Sequence, residues 1–223
     1  MKIAIAGYGV VGRGTHELLM MNREKIAARA GEEIEVKYVL DPKPLEGTPA
    51  ESLRASGIEE ILADPEVQLL VEAIGGVGPA YEYVKAALES GRSVVTPNKQ
   101  LVAEKGAELL AIAKEKNVGF LFEASVAGGT PVLHPISQCL WANDLDLAAG
   151  ILNGTTNYIL TKMVQEGAGF EETLRDAQRL GYAEADPTAD IEGIDACRKA
   201  CILSDLLFGK HTDPNKVFAQ GIT

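Results

Sequence analysis

Short apolar runs alternate with amphipathic stretches along the first 123 residues of the chain. The runs are rich in Ile, Val and Leu and predict buried strands, whereas the stretches between them have helical spacing. Strands that alternate with helices indicate βαβ units around a parallel sheet. The predicted strands are Lys2–Ala6, Glu33–Leu40, Leu69–Ala73, Ser93–Pro97 and Gly119–Glu123. The predicted helices are Val11–Arg29, Ile58–Leu62, Pro79–Ser90 and Gln100–Lys116.

The pattern changes near residue 130, where a glycine-rich stretch precedes a mainly helical region. One strand is expected at Leu145–Leu152, and Lys216–Thr223 is expected to begin another strand or helix that is cut short. We therefore expect two domains, 1–130 and 131–215, followed by 216–223 as the start of a further segment. The helices predicted in this region are Asn157–Glu166, Phe170–Leu180 and Ile194–Phe208.

Composition narrows the class of protein. Hydrophobic residues make up 46% of the 223, enough for a sizeable core. A formal charge of −11 argues against a broad nucleic-acid surface, which needs a concentrated basic face. Three cysteines without a CxxC pair fit a reducing compartment. The apolar run at the N-terminus is too short for a signal peptide or a membrane span, so we expect a soluble, cytoplasmic protein.

A glycine motif of the form GxGxxG follows the first predicted strand and opens a helix. Its residues are Gly7, Tyr8, Gly9, Val10, Val11 and Gly12. In such a motif the first glycine permits the tight turn, the second admits a pyrophosphate, and the third lets helix and strand pack closely. The free N–H groups of the helix N-terminus then bind the phosphates. The context favours a dinucleotide site over a simple tight turn.

The form of the dinucleotide is left open by the next charged residues. Asp41 follows the second strand, where a carboxylate can bind a ribose 2′-hydroxyl and would repel a 2′-phosphate. Arg13 and Lys43 are close enough in sequence to neutralise such a phosphate. The motif therefore predicts NAD or NADP without choosing between them.

Two further stretches are unusual for a plain core. Lys99 ends the sequence TPNK after a predicted parallel strand, where it could hold a substrate or could be an ordinary surface lysine. Residues 123–131 read EASVAGGTP and join the two domains. The carbonyl groups of this stretch, together with Glu123, could bind a hard cation, or the stretch could be a simple linker.

A third stretch, residues 181–195, is rich in acidic side chains and leads into a helix. Asp190 is a plausible cap for that helix. Asp195 and Lys199 are four residues apart and therefore share one helix face. They could form a surface ion pair, but the surrounding helix is largely apolar, and charges on a buried helix are candidates for a functional site.

These motifs together resemble the homoserine dehydrogenase family over nearly the whole chain. The matching stretches are GYGVVG, TPNK, EASVAGGTPVL, GILNGTTNYIL and LGYAEADPTADIEGIDACRK. The resemblance implies reversible reduction of aspartate 4-semialdehyde to homoserine with NADPH or NADH, on the route to threonine and methionine. It also implies a Rossmann-type nucleotide-binding domain followed by an α/β domain that binds substrate and forms a homodimer.

The resemblance also assigns roles to individual residues. Lys199 would be the catalytic lysine and Asp195 its acidic neighbour, because the alkoxide left by hydride delivery needs a proton or a positive charge. Glu184 would bind the substrate amino group, Asp190 would shape the same wall, and Lys99 would face both substrate and nicotinamide. Some members bind a monovalent cation, such as sodium, through positions that match Glu123, Val126, Gly128 and Thr130.

The chain departs from the family in one respect, since members continue past the point where this sequence ends and return to the first domain. Two alternatives follow from the residues. One is another amino-acid dehydrogenase with a similar first domain, such as an aspartate dehydrogenase, against which GILNGTTNYIL and AEADPTADIEG argue. The other is a nucleotide-binding module without catalysis, against which Lys99, Glu184, Asp195 and Lys199 argue.

Overall fold

The chain has a mixed α/β fold that a parallel sheet organises. The computed structural model describes residues 1–140 and 142–223. Its internal contacts divide these residues into two compact units, Met1–Ser125 and Val126–Thr223. The sequence analysis expected functional domains that meet near residue 130, and that assignment of functions stays a prediction.

In the described part of unit 1, five parallel strands form one sheet with the order β2-β1-β3-β4-β5. The strands are β1 (Lys2–Ala6), β2 (Glu35–Leu40), β3 (Val67–Glu72), β4 (Ser93–Val95) and β5 (Phe120–Leu121). β1 pairs with β3 up to Ala6 and Glu72. The strand order reverses between these two strands, and open α/β sheets bind ligands outside the carboxyl ends of the strands at such a point.

Helices pack on this sheet through their apolar faces. They are α1 (Val10–Met21), α2 (Arg23–Ala30), α3 (Ile58–Ala63), α4 (Gly78–Glu89) and α5 (Lys99–Lys116), with 3₁₀ turns at Glu51–Leu53 and Glu123–Ser125. Ile5 and Leu70 of the sheet and Leu88 and Leu101 of the helices are fully buried. Burial of each such side chain stabilises the fold by about 1.5–3 kcal/mol. The alternation of strands and helices predicted for this region is confirmed.

The helix predicted at Val11–Arg29 is in fact two helices, because the chain breaks at Asn22. Its backbone leaves helical geometry at φ −114° and ψ 22°. Both the amide N–H and the side-chain Nδ2 of Asn22 donate to the Leu18 carbonyl, at 3.1 and 3.2 Å. The amide bond is the usual helical one, whereas the side-chain bond competes with it for the same carbonyl, and the period of the apolar residues carries no sign of this.

Unit 2 is mainly helical in its described residues. The helices are α6 (Leu133–Cys139), α7 (Gly154–Glu166), α8 (Phe170–Arg179), α9 (Thr188–Ile191) and α10 (Ile194–Phe208), followed by a 3₁₀ turn at Pro214–Lys216. A small core centred on Ile159, Ala177 and Ala183 joins α7, α8 and the segment that follows them. Asn153 caps the N-terminus of α7, accepting from the amide of Thr156 at 2.8 Å.

The strand expected at Leu145–Leu152 is wrong, because this segment joins no ladder among the described residues. The Leu147 and Ile151 side chains are 80% and 78% exposed. A strand requires a neighbour to accept its backbone hydrogen bonds, and the alternation of residue types carries no information about such a neighbour. The end of the chain, expected to begin a strand or helix, is irregular after Lys216, although the Ile222 amide donates to the Ile191 carbonyl.

None of the helices in the described residues combines the length and the apolar character needed to cross a bilayer.

A cluster around Asp64 connects the outer strand β2 to the start of β3. The Asp64 carboxylate accepts from Lys37 Nζ at 2.5 Å and from the Tyr38 hydroxyl at 3.0 Å. Its other oxygen accepts from the Glu66 amide at 2.9 Å. The hydrogen bond from Lys37 is the main cause that lowers the pKa of Asp64 from 3.8 to about 2. The charged form of Asp64 is therefore favoured in the folded protein.

We expect Asp64→Asn to lower the melting temperature at pH 7. Because the folded pKa lies below the ordinary value, this stabilisation is complete above about pH 4 and is lost as pH falls towards 2. The gap in melting temperature between parent and variant should close over that interval in a calorimetric series. Glu82→Gln is the control, since Glu82 is an exposed carboxylate on α4 outside this cluster. A gap that persists unchanged at pH 2 contradicts the assignment.

Candidate functional site

The glycine loop of unit 1 is closed so tightly that two of its positions admit no side chain. Gly7 has φ +94°, and a Cβ there would lie 2.5 Å from the backbone of Ala73. A Cβ on Gly12 would lie 1.9 Å from the Gly7 carbonyl oxygen. At Gly9, by contrast, a Cβ would meet nothing within 4 Å. The loop therefore packs closely on its inner side and leaves open space over Gly9, where a pyrophosphate can approach the backbone.

A cavity of about 720 Å³ opens beside this loop, at the carboxyl ends of β1, β2 and β3. It is large enough for a nucleotide, since ligand pockets measure roughly 300–1,000 Å³. Of the predicted cofactor-binding residues, Gly7, Tyr8, Gly9, Arg13, Asp41 and Lys43 line it. Val10, Val11 and Gly12 lie in the first turn of α1, Val10 being 93% exposed.

Asp41 holds the glycine loop against the end of β2. One oxygen of its carboxylate accepts from the Tyr8 amide at 2.5 Å, and the other accepts from the Lys43 amide at 2.8 Å. The sequence suggested only a ribose contact for this side chain. In the structure, Asp41 also fixes the two loops that frame the cavity.

The cavity carries more positive than negative charge. Arg13, Lys43 and Arg54 line it together with the single carboxylate of Asp41. Arg13 also pairs with Glu17 at 2.8 Å. Arg54 was missed by the sequence interpretation, because it lies in an irregular segment after β2. An isolated bridge to Val39 brings Arg54 alongside β2 and so to the edge of the cavity.

Tyr8 is anchored on the inner side of the loop by a buried histidine. Its hydroxyl lies 2.8 Å from His16 Nδ1, and the two rings meet edge to face. Burial lowers the pKa of His16 and raises that of Tyr8. Both side chains are therefore held in their neutral forms, and the contact fixes α1 to the loop that it follows.

A second carboxylate, Glu72, holds the loops after β3 and β4. It is fully buried at the end of β3, where one oxygen accepts from the amides of Ile74 and Gly75 at 2.7 and 3.1 Å. Its other oxygen accepts from the Thr96 hydroxyl. The oxygen of that hydroxyl in turn accepts from the Asn98 amide at 2.9 Å. Glu72 is one of the residues that the sequence interpretation missed.

Lys99 begins helix α5, directly after this network. Asn98 caps the helix by accepting from the Leu101 amide at 3.1 Å, and its Nδ2 donates to the Gly76 carbonyl at 2.7 Å. The position of Lys99 in the fold therefore depends on the contacts between the two loops. Its proposed contact with substrate stays a prediction.

In unit 2, helix α10 brings Asp195 and Lys199 into a buried ion pair. Lys199 Nζ lies 2.6 Å from Asp195 Oδ2, and the side chains are 16% and 3% exposed. Lys199 also donates to the Leu152 carbonyl at 2.8 Å. An exposed pair at this spacing would contribute only about 0.2–0.5 kcal/mol. A charged pair withdrawn from water needs further polar partners, and that is a feature of functional sites.

Asn153 connects this ion pair to Asp190. Its Nδ2 donates to Asp190 Oδ1 at 2.7 Å and to Asp195 Oδ2 at 2.9 Å. The expectation that Asp190 caps the following helix is wrong. Asp190 lies within the short helix α9, and Gly193 takes the cap position of α10 without a side-chain hydrogen bond. A short turn with its own hydrogen bonds separates the two helices, and no pattern in the sequence marked it.

The remaining predicted residues lie on other segments of the two units. Glu184 is exposed, and its backbone carbonyl accepts a hydrogen bond from Gln178 Nε2 at 3.1 Å. Glu123 belongs to unit 1, whereas Val126, Gly128 and Thr130 belong to unit 2. Within the described residues, no group of three His, Cys, Asp or Glu side chains could hold a metal. A cation bound mainly by backbone carbonyls is a different kind of site, and it stays a prediction.

Unit 1 and its cavity define a Rossmann-type dinucleotide-binding protein, and comparison with known proteins gives the family. The family model described as homoserine dehydrogenase, NAD binding domain, matches residues 7–123. The model described as homoserine dehydrogenase matches residues 131–223. The chain belongs to the homoserine dehydrogenase family, as its motifs predicted.

Relatives and solved structures cover 95–100% of this chain. The homoserine dehydrogenase of Pseudomonas aeruginosa is 46% identical over 100% of this chain and 52% of its own length. The crystal structure of the enzyme from Thiobacillus denitrificans is 43% identical with a TM-score of 0.91, over 100% of this chain and 52% of its own. A hyperthermophilic archaeal homoserine dehydrogenase in complex with NADPH is 31% identical with a TM-score of 0.81, over 95% and 71%. The chain thus spans about half the length of the curated relatives it matches.

Proposed function

We propose that the protein is an NAD(P)-dependent oxidoreductase that reversibly converts L-aspartate 4-semialdehyde to L-homoserine, in threonine and methionine biosynthesis. The buried pair of Asp195 and Lys199 is the observation that carries the proposal. It lies in the unit that matches the homoserine dehydrogenase model, and unit 1 supplies a cavity suited to a dinucleotide. A module that only bound nucleotides would have no use for a buried lysine at this position.

In this proposal the chain's own residues bind and polarise the reactants. A bound nicotinamide would supply the hydride. Hydride transfer to an aldehyde carbon leaves an alkoxide, to which Lys199 offers a positive charge or a proton. The carboxylate of Asp195 and the carbonyl of Leu152 accept two of the ammonium protons of Lys199, so the third can be offered to the substrate oxygen.

The substrate is a zwitterion, and other side chains are proposed to hold it. Glu184 pairs with the substrate ammonium, Asp190 shapes the same wall, and Lys99 faces substrate and nicotinamide. Exposure of Glu184 supports the first role, because its carboxylate is accessible to a ligand.

Further proposals concern the cation, the compartment and the domains. A sodium ion would be held by oxygen donors of Glu123, Val126, Gly128 and Thr130, and hard oxygen donors suit such an ion. Three free cysteines support a reducing, cytoplasmic setting. We assign 1–130 to nucleotide binding, 131–215 to substrate binding and dimerisation, and 216–223 to the start of a return segment.

The clearest test of catalysis separates Lys199 from Glu184. Lys199→Ala should lower kcat for homoserine oxidation by about 10²–10⁴-fold with little change in KM, since its charge matters most in the transition state. Glu184→Gln should act mainly on KM, because the substrate ammonium is present in both ground and transition states. The measurement is the steady-state absorbance of reduced nicotinamide.

A matched control is available for this test. Lys162 and Glu166 form an exposed ion pair at the same spacing on α7, so Lys162→Ala should leave both kinetic constants unchanged. If a folded, cofactor-binding Lys199→Ala protein keeps kcat within a few-fold of the parent, the catalytic assignment is wrong and the pair is only structural.

We propose that the preference between NAD and NADP depends on the balance between the negative charge of Asp41 and the three positive side chains that line the cavity. Asp41→Ala should shift the ratio of the kcat/KM values towards NADP, because a carboxylate that opposes a 2′-phosphate is removed. Loss of its hydrogen bond to Tyr8 would affect both cofactors and so cancels in the ratio. Lys43→Ala should shift the ratio towards NAD. An Asp41→Ala ratio that is unchanged or moves towards NAD contradicts this role.

We also propose that the protein is a homodimer through unit 2. Exposed apolar side chains on this unit, among them Leu147, Ile151 and Val164, support an interface. Two-fold dimers are the commonest closed assemblies of soluble proteins. Light scattering at micromolar concentration should give twice the chain mass of 23.7 kDa. A monomeric mass would overturn the proposal.

A further inference from the structure

Both polar atoms of the Asn153 side chain form hydrogen bonds, one as an acceptor and the other as a donor. Its Oδ1 caps helix α7 by accepting from the Thr156 amide at 2.8 Å, and it also lies 3.0 Å from the Thr156 hydroxyl. Its Nδ2 points the other way and donates one hydrogen bond each to Asp190 and Asp195. An amide has two N–H donors, and both are engaged in this arrangement. The residue is only 7% exposed, so these bonds do not compete with bulk water.

The preceding residue extends the same arrangement to Lys199. The Leu152 carbonyl accepts from Lys199 Nζ at 2.8 Å, while Asn153 donates to the carboxylate oxygen that also accepts from Lys199. Leu152 and Asn153, which directly precede α7, thus contact three charged side chains on α9 and α10: Asp190, Asp195 and Lys199. Asp195 Oδ2 accepts both from Lys199 of its own helix and from Asn153, which precedes α7.

The arrangement needs a neutral donor at this position. Asp190 and Asp195 are two carboxylates that accept from the same amide nitrogen, and a donor placed between them offsets their repulsion without adding charge. An alanine would remove the hydrogen bonds that Asn153 donates to both carboxylates, and a carboxylate would add repulsion. Only an amide of this length both accepts from the helix and donates to two acids.

We propose that Asn153 is a positioning residue for the reaction, which sets the orientation of Asp195, and through it Lys199, relative to Asp190. The inference rests on the proposed function, because it assigns a role within the same site. Displacement of a catalytic group by about 1 Å can cost about 100-fold in rate. Loss of the Asn153 donor should therefore appear in kcat.

Asn153→Asp is the discriminating variant. Aspartate is as good a helix cap as asparagine, so α7 should keep its cap, while the donor to Asp190 and Asp195 is lost. We expect the melting temperature to fall because a third carboxylate repels these two, and kcat for homoserine oxidation to fall about 10–100-fold at a temperature where circular dichroism shows the variant folded. Thr156→Val is the matched control, because it removes the hydroxyl contact on the capping side of Asn153 and leaves the donor side intact. Its kcat should stay within two-fold of the parent.

A double-mutant cycle gives a readout that needs no activity. Stabilities to urea are measured for the parent, Asn153→Ser, Asp195→Asn and the double variant. Serine keeps a cap but is too short to reach both acids, so the two single effects should be non-additive if the bond is formed. Additive effects, or a folded Asn153→Asp protein with parental kcat, overturn the inference. A folded parent that does not oxidise homoserine contradicts the proposed function, and the cycle alone then decides whether Asn153 holds Asp195.

Discussion

The carboxyl edge of the sheet in unit 1 depends on hydrogen bonds from backbone amides to two carboxylates, Asp41 and Glu72. Parallel strands end at the same edge, so their loops must be fixed to one another before a ligand can bind among them. Asp41 joins the loops after β1 and β2, and Glu72 joins those after β3 and β4. A carboxylate suits this task because it accepts several N–H or O–H groups and donates none.

The sequence predicted unit 1 well because its signals are local. The apolar period of each strand and the glycine spacing at residues 7–12 each fix geometry within a few residues, as the i,i+4 spacing of Asp195 and Lys199 does in unit 2. The break at Asn22 and the short helix that holds Asp190 were missed, because neither alters the pattern of apolar residues.

The contacts that organise the site were beyond prediction for a different reason. Arg54 reaches the cavity through a single bridge to Val39, and Asn153 meets Asp190 and Asp195 across 37 and 42 residues of chain. Glu72 lies within the predicted strand Leu69–Ala73, and nothing in that run indicates its partners. Such partners are set by the tertiary fold, so a single sequence can supply the residue types and not their pairing. The strand expected at Leu145–Leu152 failed likewise, since its pattern could not show whether a neighbouring strand exists.

The residue that follows Asn153 determines how this side chain reacts chemically as the protein ages. Asn153 precedes Gly154, and an Asn-Gly step is prone to deamidation, in which the glycine amide nitrogen attacks the side-chain carbonyl carbon and ammonia leaves. Hydrolysis of the resulting succinimide gives aspartate or isoaspartate. Four hydrogen bonds hold the amide in its capping position and oppose the rotation that this attack requires. The folded state therefore protects the residue, and partial unfolding would expose it to this irreversible conversion. A chain that refolded after such damage would carry a third negative charge beside Asp190 and Asp195.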